Sequence, residues 1–232
     1  MNPGILSSEL AKHLADSYPH NHDYRVSGSK LRPSLQLWRR WRKLRKHYRY
    51  SSGPDGRPRM DSLLDLSSCK GFFVLDAAQR LGARRVLGVD VHDLDLEASR
   101  AAAAHLGLGR ARFEKLHLDE LVERGEQPFE TALLINTYPY LFFGSQRDPH
   151  HFGDHERIFD LIAELITPGG RLIFSNRVEL ERCPGHIQDL ARERGLAGEY
   201  DERRVRDAAT RHFHIEVHGS LGRIPLWVLE RR

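Results

Sequence analysis

With 232 residues, 40% of them apolar and 29% charged, the chain has room for one α/β domain with an extension and a sizeable core. No apolar run approaches the ~18 residues of a membrane span, and the N-terminus lacks a signal peptide's apolar stretch, so stable membrane insertion is not expected. Cys69 and Cys183 are the only cysteines, which argues against a disulfide framework and for a reducing, cytoplasmic setting. The net charge of +4 conceals a split: the first 60 residues carry 13 Lys/Arg against 4 Asp/Glu, and the remaining 172 carry 23 against 28.

Residues 1–60 therefore read as a basic helical extension, and residues 61–232 as the main domain. Ser7 or Ser8 can cap a short helix over residues 9–14. A second helix is predicted over residues 33–48, with Leu37, Trp38, Trp41, Leu44 and Tyr48 on one face. Arg39, Arg40, Arg42, Lys43, Arg45, Lys46 and Arg49 cover the rest of it, and no acid lies between Lys30 and Ser51. The Ser/Gly/Pro-rich residues 51–58 then read as a hinge or linker.

From Ser62 onward strands and helices alternate. The run Leu63-Leu64-Asp65-Leu66 passes through Ser67-Ser68-Cys69-Lys70-Gly71 into Phe72-Phe73-Val74-Leu75, which reads as strand, tight turn and helix. Further strands are predicted at residues 85–90, 112–116, 131–136 and 171–175. Helices are predicted at residues 94–106, from the cap Asp154 to Ile166, and from Pro184 to near Gly195. Residues 213–217 and 224–229 are too close in sequence for anything but a hairpin, since a parallel pair needs a crossover of about a dozen residues. The expected fold is a doubly wound, mostly parallel seven-stranded sheet closed by an antiparallel C-terminal hairpin.

In such a sheet a ligand sits beyond the carboxyl ends of the strands, at the switch point. The residues gathered there are Asp65, Ser67, Ser68, Cys69 and Gly71, then Asp90, His117 or Asp119, and Asn136 through Tyr140. An acid ending the second strand is placed to accept hydrogen bonds from two ribose hydroxyls, a placement that a purely structural acid would not need. A dinucleotide would want a Gly-x-Gly-x-x-Gly turn so that the backbone can approach the pyrophosphate; glycine here stands only at Gly71. A nucleoside with an amino-acid tail tolerates small side chains in that turn.

On these residues the pattern resembles the class I S-adenosylmethionine-dependent methyltransferases. Asp65, Ser67, Cys69 and Gly71 stand at the Asp and the three Gly of that family's first motif, Asp-x-Gly-x-Gly-x-Gly, with two glycines replaced by small residues. Asp90 matches the family's ribose-binding acid, and His117 or Asp119 its adenine contact. Asn136-Thr137-Tyr138-Pro139-Tyr140 is similar to the Asn-Pro-Pro-Tyr signature of amino-group methylating members, with Thr137-Tyr138 in place of a proline pair. Residues 165–172 resemble the loop before the family's fifth strand. The resemblance implies a Rossmann-like fold, S-adenosyl-L-methionine as cofactor and methyl transfer as the activity.

A sulfonium methyl is already activated, so the protein mainly aligns the acceptor, and a protonated oxygen or nitrogen acceptor also wants a base. His150, His151, His155, Tyr138 and Tyr140 are the nearest candidates, on the loop after the fourth strand. Residues 149–155 could alternatively ligate a metal through His150, His151, His155 and Asp154, but the spacing matches no strong ligand motif and no metal is expected. A small-molecule acceptor is the first expectation. The second is a tRNA base held by residues 33–49 as an RNA clamp, and the third a catalytically inactive, methyltransferase-like binding module. The same basic helix can serve as a lid over the pocket or pack as a flanking helix, with its charged face in solvent.

Overall fold

A computed structural model describes residues 6–52, 58–146 and 148–232, in two compact units, Met1–His117 and Leu118–Arg232. The expected linker falls mostly on residues 53–57, outside the described residues.

The first unit opens with α1 (Ser8–Asp16), capped by Ser7, whose hydroxyl accepts from the Leu10 N–H. A hairpin follows, β1 (Tyr24–Ser27) with β2 (Lys30–Pro33), then α2 (Leu35–Leu44), capped by Ser34. α2 is shorter than the predicted helix and ends in a 3-10 turn at Arg45–His47. Its buried face is Leu37, Trp41 and Leu44; Trp38, expected on that face, is 38% exposed with the Arg42 guanidinium 4.8 Å over its ring. Leu37 and Trp41, four positions apart, lie on one stripe, whereas Trp38 stands a hundred degrees round the helix from Leu37. Two short strands, β3 (Ser51–Ser52) and β4 (Pro58–Arg59), pair with each other.

The parallel part of this unit is β5 (Ser62–Asp65), α3 (Phe72–Gln79), β6 (Arg85–Asp90), α4 (Asp93–His105) and β7 (Ala111–Lys115). β5 is buried throughout and β6 from Val86 to Val89, which is why they read as unbroken apolar runs without alternation. Residues 6–52 pack as part of this unit. The Tyr24 hydroxyl donates to Lys70 O (2.7 Å), Trp41 Nε1–H to Asp76 Oδ2 (2.6 Å) and Arg80 to Leu31 O (2.8 Å).

The second unit contains α5 (Leu118–Glu123), β8 (Phe129–Ile135), α6 (Tyr138–Phe143), α7 (His155–Glu164), β9 (Ile166–Ser175), α8 (Gly185–Glu193), α9 (Glu202–Thr210), β10 (Phe213–Leu221) and β11 (Ile224–Arg231). Asp154 caps α7 as its sequence suggests, its Oδ1 accepting from the N–H groups of Glu156 (2.8 Å) and Arg157 (3.2 Å). β9 starts earlier than expected: it runs through Thr167-Pro168-Gly169-Gly170, with Gly169 at φ 71° and an irregularity in its pairing to β8.

The seven long strands follow the order β10-β11-β9-β8-β5-β6-β7. β11 runs antiparallel to both β9 and β10, so the sheet is mostly parallel with a terminal antiparallel hairpin. Among the described residues no helix is long and apolar enough to cross a membrane.

Candidate functional site

In the first unit, β5 delivers Asp65 to the start of a turn that closes at Gly71. Gly71 takes a left-handed backbone (φ 75°), and a Cβ there would come within 2.6 Å of Phe113 and Ser99. Both facts require glycine, and they explain why this glycine of the first motif is retained. Cys69 also takes a left-handed φ, 48°, where a glycine would be unstrained. The turn is stitched to β6: Ser68 N–H donates to Val89 O (2.9 Å), and Gly88 lies so close that a Cβ would meet Ser68 Cβ at 2.7 Å. No side chain larger than hydrogen fits at residue 88.

Asp90 ends β6, as anticipated, but its carboxylate already has structural partners. Oδ2 accepts from Cys69 N–H (2.7 Å) and Oδ1 from Val91 N–H (2.8 Å) and His92 N–H (3.0 Å). Three of roughly four lone-pair sites are used. The expectation of two ribose hydroxyls on Asp90 is corrected: Asp90 ties the turn to β6, which leaves room for about one ligand hydroxyl.

The N-terminal segment closes over this turn. Lys70 is fully buried, and its ammonium bonds Asp23 and Ser17 O (2.5 Å). His13 bonds Asp95 (2.6 Å), and the Cys69 thiol faces the other oxygen of the same carboxylate at 3.8 Å. Burial, followed by Asp95 and Asp90, pushes that thiol well above its ordinary pKa, so it is no thiolate nucleophile. From α2, Arg40 reaches His22 Nε2 (3.3 Å), which burial keeps neutral and able to accept.

Among the enclosed polar atoms here without a hydrogen-bond partner are Asp65 Oδ2, Ser67 Oγ, Ser68 Oγ and Arg40 Nε. Burial raises the Asp65 carboxyl to about 7, against the opposing pull of the Ser67 N–H and of Arg40. Burial lowers Arg40 to about 10, with Asp65 opposing. Each charge thus acts on the other, yet neither side chain satisfies the other's remaining atom. Sequence reading placed Arg40 in a cationic stripe and missed its inward course. An arginine one residue before the buried Trp41 and three after Leu37 was the available signal.

In the second unit β8 ends at Asn136, which also adopts a left-handed backbone (φ 60°) and keeps a buried, partnerless Oδ1. Such non-glycine outliers gather at functional positions. The turn after it is held by Asn176, just past β9. Its Oδ1 accepts from Thr137 N–H (2.7 Å) and Tyr138 N–H (2.9 Å), and its Nδ2–H donates to Leu134 O (2.7 Å). Asn176 carries no motif signal, and only the pairing of β8 with β9 brings it to this loop.

The other residues proposed from sequence separate clearly. Tyr138 is fully buried, with its hydroxyl on His155 Nδ1 (2.7 Å) and that ring's Nε2 on Glu199 O (2.9 Å). Tyr138 stacks with His155, Phe142 stacks on the same ring, and Tyr200 packs tilted against Tyr138 and edge-on to Phe142. The expectation of a catalytic Tyr138 is therefore corrected: this phenol is closed off in an aromatic cluster. Tyr140 is partly exposed, 3.3 Å from His186. His150 and Asp119, expected in different roles, stand together with Nε2 to Oδ2 at 3.2 Å. His151 is exposed and bonds Pro149 O (3.0 Å), and His117 lies half-buried just after β7. Among the described residues no group of three His, Cys, Asp or Glu side chains is arranged to hold a metal ion.

Residues 59–213 match the family described as a methyltransferase domain, about two thirds of the chain. No curated protein matches. Among solved structures, an O-methyltransferase family protein from Burkholderia thailandensis superposes with a TM-score of 0.52 at 15% identity, covering 75% of this chain and 51% of that one. The bifunctional kinase-methyltransferase WbdD gives 0.52 at 17% identity over 72% of this chain and 34% of that one. TrmN from Thermus thermophilus gives 0.51 at 21% identity over 88% and 50%. The chain spans about half the length of the first and third and about a third of the second, and at these identities the likeness is one of fold. The family match, together with the strand order and terminal hairpin, places the chain in the class I S-adenosylmethionine-dependent methyltransferase family.

Proposed function

We propose that this chain binds S-adenosyl-L-methionine in the cradle of its first unit and methylates an oxygen or nitrogen of a small-molecule acceptor. The observation that carries the reading is the set of enclosed, partnerless atoms Asp65 Oδ2, Ser67 Oγ and Arg40 Nε. Buried polar groups are normally paired, and a carboxylate beside a guanidinium suits an α-amino-acid end, with its ammonium toward Asp65 and its carboxylate toward Arg40. The residues present therefore fit the cofactor: Asp65, Ser67 and Arg40 would hold its amino-acid end, and Asp90 one ribose hydroxyl. When bound, the cofactor supplies a methyl group already activated on a sulfonium. What remains to the protein is to position the acceptor and take its proton.

Calorimetric titration with S-adenosylhomocysteine tests the reading, using 5′-methylthioadenosine, which lacks the amino-acid end, as the comparison. The folded protein is expected to bind both. Arg40→Gln is expected to weaken the first by about tenfold or more, as loss of a charged hydrogen bond worth about 1.5–3 kcal/mol, and to leave the second unchanged. A folded wild-type chain that binds neither ligand refutes the reading.

One observation favours RNA as the acceptor. Trp38 is half-exposed under Arg42, beside exposed Arg39 and Lys46, an arrangement suited to stacking a base over neighbouring phosphate contacts.

A further inference from the structure

Past the carboxyl end of β9 the second unit holds a hollow of about 410 Å³, walled by Arg177, Arg182, Arg223, Glu179 and Glu202. Its floor is apolar, from Val178, Ile224 and Pro225. The volume is that of a small-molecule site. The carboxyl ends of the strands are also where open α/β sheets take up ligands.

The charges in the hollow do not cancel. Glu179 is bonded to Arg182 (2.5 Å), and Glu202 to Arg206 of α9 (2.8 Å). Both acids are thus neutralised by arginines, one of them outside the hollow. Arg177 and Arg223 remain, and neither has a side-chain partner among the described residues. They come from separate places in the chain: Arg177 lies two residues beyond β9, and Arg223 is in the turn between β10 and β11. The pairing of β11 with β9 brings that turn alongside the end of β9. Two unpaired guanidinium groups over an apolar floor suit a small anion with a carbon body. Each group offers a planar fork of N–H donors that matches phosphate or carboxylate oxygens in pairs.

We propose that this hollow binds a small oxyanion, a phosphate or carboxylate carried on an apolar body. The assignment rests on the arginines and the apolar floor, independently of the methyltransferase reading.

The experiment titrates inorganic phosphate into the full chain, with acetate as the second probe, and follows heat by calorimetry. The wild type, Arg177→Gln, Arg223→Gln and the double variant are compared. S-adenosylhomocysteine binding and the far-ultraviolet circular dichroism spectrum serve as fold controls. Because Arg177 is half-buried and Arg223 exposed, neither substitution leaves a buried group without its partner, and the variants are expected to fold. The expected result is saturable binding of one phosphate or acetate per wild-type chain, weakened at least tenfold in the double variant, with S-adenosylhomocysteine binding unchanged. Preference for phosphate or for acetate identifies the oxyanion, and either supports the site. Equal binding in the wild type and the double variant overturns it, as does the absence of saturable binding of both probes. Wild-type retention of tRNA that the double variant loses, with no saturable phosphate binding, assigns the surface to RNA and overturns it too. Absence of S-adenosylhomocysteine binding by the folded wild type removes the methyltransferase reading while the anion result stands by itself.

Discussion

Asp65 is 2% exposed, and its carboxyl sits near 7 because burial penalises the charged form. The unfolded chain would release this proton near the ordinary value of 3.8. Between those two values the folded state keeps a proton that the unfolded state has lost, so stability falls as pH rises from about 4 to about 7 and levels off above. The slope from this one group is at most about 1.4 kcal/mol per pH unit. Urea midpoints measured across that range should show the fall in the wild type and a correspondingly flatter profile in Asp65→Asn; parallel profiles would show that Asp65 is ordinary. Asp90 makes a different prediction. Because its carboxylate holds three backbone N–H groups, Asp90→Ala should lose stability as well as cofactor affinity, by about 1–3 kcal/mol. A urea midpoint equal to wild type would mean that the turn holds itself.

At the scale of elements, the decisive contact is α2 on α3. Asp76 is 1% exposed, takes the Trp41 indole N–H at 2.6 Å and pairs with Arg80 at 3.1 Å. Trp41→Phe preserves most of the apolar contact and strands one carboxylate oxygen. A loss of about 1–3 kcal/mol in chemical denaturation is expected, the usual cost of a buried acceptor without its donor. The residues ahead of α2 matter as much: β1 brings Tyr24 to the Lys70 carbonyl, and the residue before it, Asp23, takes the buried Lys70 ammonium. Removing residues 1–50 would uncover Phe72, Phe73 and Lys70 together, so the truncated chain is expected to lose cooperative unfolding, not merely activity. A cooperative transition near the wild-type midpoint would show that residues 61–232 fold alone.

At the scale of the whole molecule, the charge split between residues 1–60 and the rest carries a prediction about RNA. Part of the basic surplus is turned into the first unit, where Arg40 reaches His22 and not a phosphate backbone. Arg39, Arg42, Lys43, Arg45, Lys46 and Arg49 remain exposed on and just after α2, enough for a salt-dependent contact with phosphates. Binding of bulk tRNA to this face is therefore expected to fall steeply between about 50 and 200 mM salt, with a log–log slope of about 4 to 5 in magnitude. A slope near zero would show that these side chains contact no phosphate.

The sequence by itself determined the parallel strands, the turn from Asp65 to Gly71 and the terminal hairpin. Each of these is a local matter: a continuous apolar run, a left-handed glycine, or a connection too short to cross over. α5, α6 and α9 left weaker traces, being short or dominated by charge, and β9 runs through a Pro-Gly-Gly stretch that reads as a loop. Tertiary structure alone decided which polar side chains meet. Asn176 reaches the loop after β8 because β9 lies beside that strand, and Arg40 turns inward because Leu37 and Trp41 fix the face of α2 that packs. His150 finds Asp119 across 31 residues of chain. Such pairings depend on distances between elements that are far apart in sequence. Periodicity records which face of an element is buried, but not which neighbour it is buried against.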